Sequence, residues 1–159
     1  MAFPNDRTYV FDANNLLSDN AAAYTANGFA QVGGATAIID LGGNQNVTPT
    51  QLARIDAVAV VDVTAIKISA GNETYKLIVV GSNNAGLASS CVELGGIQIG
   101  KGASLEISNG QDNVIGRYEI EFCNQVAGSI FEFIGIQIIV AGTNPSISFE
   151  SFVAITPEP

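Results

Sequence analysis

Beyond about residue 35, apolar and polar positions alternate along most of the chain, and that alternation predicts strands. The clearest case is Arg117–Cys123, where Tyr118, Ile120 and Phe122 alternate with Arg117, Glu119, Glu121 and Cys123. A period of two is that of a strand with one face buried. Seven further runs read the same way: Thr36–Leu41, Ala57–Ser69, Tyr75–Ser82, Cys91–Ile99, Ala103–Ser108, Phe131–Val140 and Ser146–Ile155. The stretches between them include AGNE, GSNNAG, GKG, SNGQDN, NQVAGS and AGTNP, all rich in the residues that make turns. Eight short strands punctuated in this way predict an all-β fold, a jelly-roll β-sandwich of about eight antiparallel strands.

The last two runs are the most apolar. Ile134, Ile136, Ile138 and Val140 share one parity, and Ile147, Phe149 and Val153 share another against Ser148 and Glu150. With Gly142, Asn144 and Pro145 between them, they predict a half-buried hairpin whose inward side chains close the sandwich. The first 34 residues carry no such period. They predict an irregular N-terminal arm over 1–34, with a helical turn near DANNLLSDNAAAY, ahead of a sandwich over 35–159. Thr48-Pro49-Thr50-Gln51 has the cap, the proline and the glutamine of a short helix start. The arm carries Phe3, Tyr9, Phe11, Leu16 and Leu17 with no hairpin partner in sequence. Apolar residues on an irregular arm need a surface to cover, so these five are the candidate assembly contacts.

Composition sharpens the picture. At 159 residues the chain is the size of one domain that buries its own core. Hydrophobic residues make up 47% and charged residues only 13%, against roughly 25% in ordinary domains. Seventeen glycines and many Asn, Ser and Thr fill that gap, so much of the surface is neutral. Such a surface points to assembly. The net charge of −9, with six scattered basic residues, argues against nucleic-acid binding. The start, MAFPNDRTYVFDANN, is too polar for a secretory signal, and the longest uncharged run is too broken by Asn, Gln and Gly to span a membrane.

Candidate chemistry is thin. The chain has no histidine, which removes the commonest general base and the Ser-His-Asp and Cys-His nucleophile systems. GGIQIGKG, Gly95 to Gly102, has the glycines and lysine of a phosphate-binding loop. Gly102 stands where Ser or Thr must ligate magnesium, however, and ASLEIS after it alternates as a strand where a helix is required. The stretch therefore reads as a glycine-rich hairpin turn. A carboxylate glycosidase needs no histidine, and Glu119 and Glu121 share a face with Glu106, Glu132 or Glu150 as possible neighbours. Alternating acids are also what the wet face of any sheet carries, and no tryptophan is present to stack a sugar. DANNLLSDN fails as a calcium loop, since Leu16 and Leu17 occupy later ligand and glycine positions. Cys91 and Cys123 form no C-x-x-C; they read as packed thiols, or as a disulfide if their strands are neighbours. The reading is of no enzyme, no catalytic residue, no cofactor and no metal.

Three stretches taken together resemble the capsid cement (decoration) proteins of short-tailed bacteriophages of the Bordetella type. They are TYVFDANNLLSDNAAAY, AIIDLGG with the long hydrophobic strand after it, and RYEIEFCNQVAGSIFEFIGIQIIVAGTNPSISFESFVA. The resemblance spans nearly the full length through the order of its motifs. It implies a jelly roll that binds the exterior of an icosahedral capsid and clamps neighbouring major capsid subunits together. It further implies a homodimer, a protein made in the host cytoplasm and carried on the virion, and no catalysis or cofactor. An alternative from another class is a carbohydrate- or receptor-binding β-sandwich of a phage fibre or adhesin, which would want aromatic platforms on exposed loops.

Overall fold

The computed structural model describes residues 13–42, 54–88, 90–101 and 115–155. The predicted strand Ala103–Ser108, the helix start at Thr48–Gln51, and Phe3, Tyr9 and Phe11 lie outside the described residues. A single 3-10 turn, Ala13–Asn15, opens the described chain. Thirteen strands follow it: β1 (Leu16–Asp19), β2 (Gly28–Phe29), β3 (Gln31–Val32), β4 (Ala35–Thr36), β5 (Ile39–Asp40), β6 (Asp56–Ile66), β7 (Thr74–Ser82), β8 (Val92–Gly100), β9 (Gly116–Cys123), β10 (Gln125–Val126), β11 (Ser129–Ile130), β12 (Phe133–Ala141) and β13 (Ile147–Ile155).

Two antiparallel sheets form the sandwich. One has the order β1-β13-β6-β9; the other has the order β2-β12-β7-β8, with β5 also pairing β12. β2 and β5 act as one interrupted strand, since both lie along the same edge of β12. The principal strands then number eight among the described residues. In chain order they run 1-8-3-6 across one sheet and 2-7-4-5 across the other. That interleaving, in which the chain passes between sheets at almost every connection, is the jelly roll.

The core lies between the sheets. The four-stranded sheet contributes Leu17, Ala59, Val61, Val63, Ile120, Phe122, Ile147, Phe149 and Val153. Tyr75, Leu77, Val79, Ile99, Ile134, Ile136 and Ile138 face them from the other sheet. Each belongs to a period-two set, so burial follows from the pleat once one face is turned inward.

The last two runs are strands, as expected, but they do not form a hairpin with each other. β12 pairs with β7, β2 and β5, whereas β13 pairs with β6 and β1. The segment between them is a corner that carries the chain from one sheet to the other, turning at Gly142 with φ of 112°. Their inward side chains do meet, across the core instead of along a ladder: Ile134, Ile136, Ile138, Ile147 and Phe149 are all fully buried.

A second difference concerns the arm. From residue 13 onward the expected irregular segment is part of the sandwich. β1 is an outer strand of one sheet, with Leu16 in register with Phe152, and Leu17 is fully buried. Tyr24 exchanges two backbone hydrogen bonds with Ile147, and its ring lies 5.1 Å from that of Phe149. The Ala30 N–H donates to the Ile136 carbonyl at 2.9 Å, and the Asn27 side-chain oxygen accepts from the Val140 N–H at 2.8 Å. The segment thus fills the edges of both sheets, where unpaired backbone would otherwise be left.

Candidate functional site

The glycine-rich stretch is not a turn: Gly95 to Gly100 lie within β8. Each glycine there has a packing reason. A Cβ on Gly95 would sit 2.6 Å from the Glu121 carbonyl oxygen of β9, and one on Gly96 would sit 3.2 Å from the Leu77 carbonyl oxygen. Gly100, with φ of 126°, lies against the Glu73 carbonyl. These glycines let β8 close against its neighbours on both sides. Lys101 offers its N–H to the Glu73 carbonyl at 2.8 Å.

The acids of the glycosidase reading sit on the outward face of the four-stranded sheet. Register defines three rows across the strands. Glu150, Asp62 and Arg117 form the first; Phe152, Val60 and Glu119 the second; Ala154, Val58 and Glu121 the third. In the first row Arg117 grips Asp62 with two hydrogen bonds of 2.7 Å. Glu119, Glu121 and Glu150 are exposed, and the middle of this face is apolar. Glu132 lies elsewhere, before β12, and Glu106 is outside the described residues. Of these glutamates, the cleft beside β9 contains Glu121 alone.

A cleft of about 420 Å³ does open where the third row ends, lined by Asp56, Ala57, Val58, Leu94, Glu121, Phe122 and Cys123. It holds two carboxylates, those of Asp56 and Glu121, and Asp56 is not arranged as a general acid. A hydrogen bond from the Cys123 thiol, then one from Arg54 at 3.2 Å, holds the Asp56 carboxyl below its usual range. A general acid needs the opposite shift. Both cysteines are free thiols. The Cys91 thiol donates to the Leu87 carbonyl at 3.2 Å beneath the loop over the other sheet, and burial pushes it up from its ordinary value. That environment favours an inert thiol over a reactive one. Among the described residues, no three His, Cys, Asp or Glu side chains converge to hold a metal.

The buried polar groups serve the fold. Glu73 is fully buried and caps its own loop, accepting from the Ala70 and Gly71 N–H groups at 3.1 Å. The Tyr75 hydroxyl donates to the Lys67 carbonyl and accepts from the Ser146 N–H at 2.9 Å, tying the loop before β7 to the corner before β13. Asn124 holds the start of β6 to the β10–β11 ribbon: its side-chain oxygen accepts from Ile55 N–H at 2.7 Å and its amide donates to the Phe131 carbonyl at 3.0 Å. Sequence reasoning singled out none of these three: Glu73 and Asn124 fall in stretches that read as turns, and a lone tyrosine in a strand run announces no partner.

Of the five candidate assembly residues, Phe3, Tyr9 and Phe11 lie outside the described residues. Leu17 points into the core, and half-buried Leu16 joins the apolar middle of the outward face. No family model matches the chain, and no curated protein or solved structure is detectably similar to it.

Proposed function

We propose that this protein is a structural virion component that binds the outer surface of a tailed-phage icosahedral capsid and cements neighbouring major capsid subunits. The observation that carries the reading is the interleaved jelly-roll strand order, the fold that the resemblance to phage cement proteins calls for. Other features support it. Charge is only 13% of the chain, so a large neutral surface is left for contact with other protein. Acidity of −9 suits the outside of a shell better than its DNA-facing side. Glu73, Tyr75 and Asn124 spend their hydrogen bonds on loops and corners, as befits a rigid clip.

The test is cosedimentation. Capsids assembled from major capsid protein alone are mixed with the purified chain and spun through a sucrose gradient. Binding that saturates at a fixed ratio to capsid subunits, and that raises the temperature at which the shells break, is the expected result. A chain that stays at the top of the gradient, but is retained by cell-surface glycans, would overturn it in favour of receptor binding.

A further inference from the structure

Part of the outward face of the β2-β12-β7-β8 sheet lies under the connection from β7 to β8. Ile78 and Val80 alternate with the inward Leu77 and Val79, so they point away from the core, yet they are only 4% and 2% exposed. Their cover includes Leu87 of that connection, itself buried. Leu87 is seated on β12, where Gly135 stands in register with Val80: a Cβ on Gly135 would lie 2.6 Å from the Leu87 Cδ1. Phe29, Ile38, Cys91 and Phe133 pack against the same cluster.

Two features set this connection apart. Its backbone is strained: Leu87 has φ of 51° and Ser90 φ of 58°, in the left-handed region that residues with a Cβ disfavour. Its hydrogen bonds also stay local. The Asn84 N–H donates to the Ser82 hydroxyl at 3.0 Å, the Gly86 N–H to the Asn84 side-chain oxygen at 2.9 Å, and the Leu87 N–H to the Asn84 carbonyl at 3.0 Å. The Cys91 thiol donates back to the Leu87 carbonyl. Only the foot is tied elsewhere, since the Asn83 side chain accepts from the Glu132 N–H at 3.0 Å and donates to the Ile130 carbonyl at 3.3 Å. Among the described residues, then, the hydrogen bonds of Asn84 to Leu87 reach no further than Ser82 and Cys91. Burial of the Leu87 side chain holds the tip to the sheet.

We propose that residues 84–88 form a lid that opens while the sandwich stays folded, with Leu87 as its latch. Opening breaks no ladder bond between strands. It frees Leu87 to leave the left-handed region, which offsets part of what its burial contributes. With the lid closed, Ile78 and Val80 are sealed; with it open, this side of the sheet presents an apolar strip. The lid is independent of the capsid reading.

A thiol beneath the latch tests it on the full chain. Val80→Cys is made together with Cys91→Ser, and maleimide labelling is followed by peptide mass, which separates the new site from Cys123. The expected rate barely responds to urea below the unfolding transition, because a short loop that lifts exposes little surface. Leu87→Ala should speed labelling about tenfold or more. Gly135→Ala, which crowds the latch from the sheet side, should speed it as well. The Cys123 rate should stay unchanged, and acceleration shared by both sites would mark global opening and overturn the proposal. If Leu87→Ala does not fold, the urea response and Gly135→Ala carry the comparison. A rate that climbs with urea in step with global unfolding would overturn the lid. So would equal rates before and after the latch is cut or crowded.

Discussion

Gly95 and Glu121 meet backbone to backbone: a Cβ on Gly95 would lie 2.6 Å from the Glu121 carbonyl oxygen. This contact joins the last strand of one sheet to the last strand of the other, and it closes that side of the sandwich. The obstacle is main chain and cannot rotate aside. Gly95→Ala is therefore expected to cost about 1–3 kcal/mol, the usual range for overpacking. Gly28→Ala is the control, because nothing lies within 4 Å of its Cβ position; it should fall within about 0.5 kcal/mol of the parent. Urea unfolding of both variants checks the pair, and equal midpoints would refute the packing account.

The same contact bears on nucleotide binding. If β8 is built from glycines for close approach, ATP with magnesium should leave the melting temperature unchanged. Any ligand that binds only the native state must raise it. A reproducible rise would return GGIQIGKG to the phosphate-loop reading.

How far the sequence reveals the fold can be judged from particular elements. β9 is legible outright, since Tyr118, Ile120 and Phe122 against Arg117, Glu119 and Glu121 leave only one choice of face. The β12–β13 corner is half legible: parity identifies the inward side chains but not their partner. A strand pairs with a neighbour in its own sheet or faces one across the core, and both arrangements demand the same alternation. β1 is illegible for a local reason. Its register slips between Leu16 and Ser18, so that Leu17 and Ser18 are both fully buried and no period survives in four residues. The apolar patch around Val60 escapes notice in turn, because Val58 and Val60 lie in an unbroken apolar run whose two faces look alike.

Tyr75 ties two loops through one hydroxyl. Tyr75→Phe keeps the ring in the core but leaves the Lys67 carbonyl and the Ser146 N–H without that partner. The expected loss is about 1–3 kcal/mol. Burial also raises the phenol above its ordinary value near 10, ahead of the opposing hydrogen bond from Ser146. A raised folded-state value gives stability that is complete below the ordinary value and is lost as pH rises through the folded one. The gap between parent and variant should accordingly narrow in strong alkali. A gap that stays constant would argue that the hydroxyl does not titrate with unfolding.

Asp19 works at the other end of the pH scale. Its two oxygens accept from the Gly33 N–H at 2.7 Å and the Ala21 N–H at 3.0 Å, and those bonds hold its carboxyl below the ordinary 3.8. A lowered folded-state value gives stability present above the ordinary value and lost as pH falls through the folded one. Asp19→Asn should therefore be less stable than the parent at neutral pH and approach it as pH falls below the ordinary 3.8 and through the lowered folded-state value. Urea midpoints measured across that range check it, and a difference indifferent to pH would refute it.

The N-terminal segment gives the sharpest test of the difference between sequence and structure. An arm that merely reaches for a partner can be cut away, leaving a soluble sandwich. β1 and β2 cannot be removed so lightly. Deleting residues 1–30 takes Leu17 out of the core and exposes the edge of β13, with its run of Ile, Phe and Val, to solvent. An uncovered apolar edge strand invites pairing with other chains. The expected outcome is a protein that aggregates or lacks cooperative unfolding. Leu17→Ala isolates the packing part of that effect: a fully buried leucine cut to alanine should cost about 2–5 kcal/mol. Leu16→Ala, at a half-buried position on the outward face, should cost less than Leu17→Ala. A soluble, cooperatively folding deletion variant would show that the two sheets hold without their first strands, and the arm would be detachable after all.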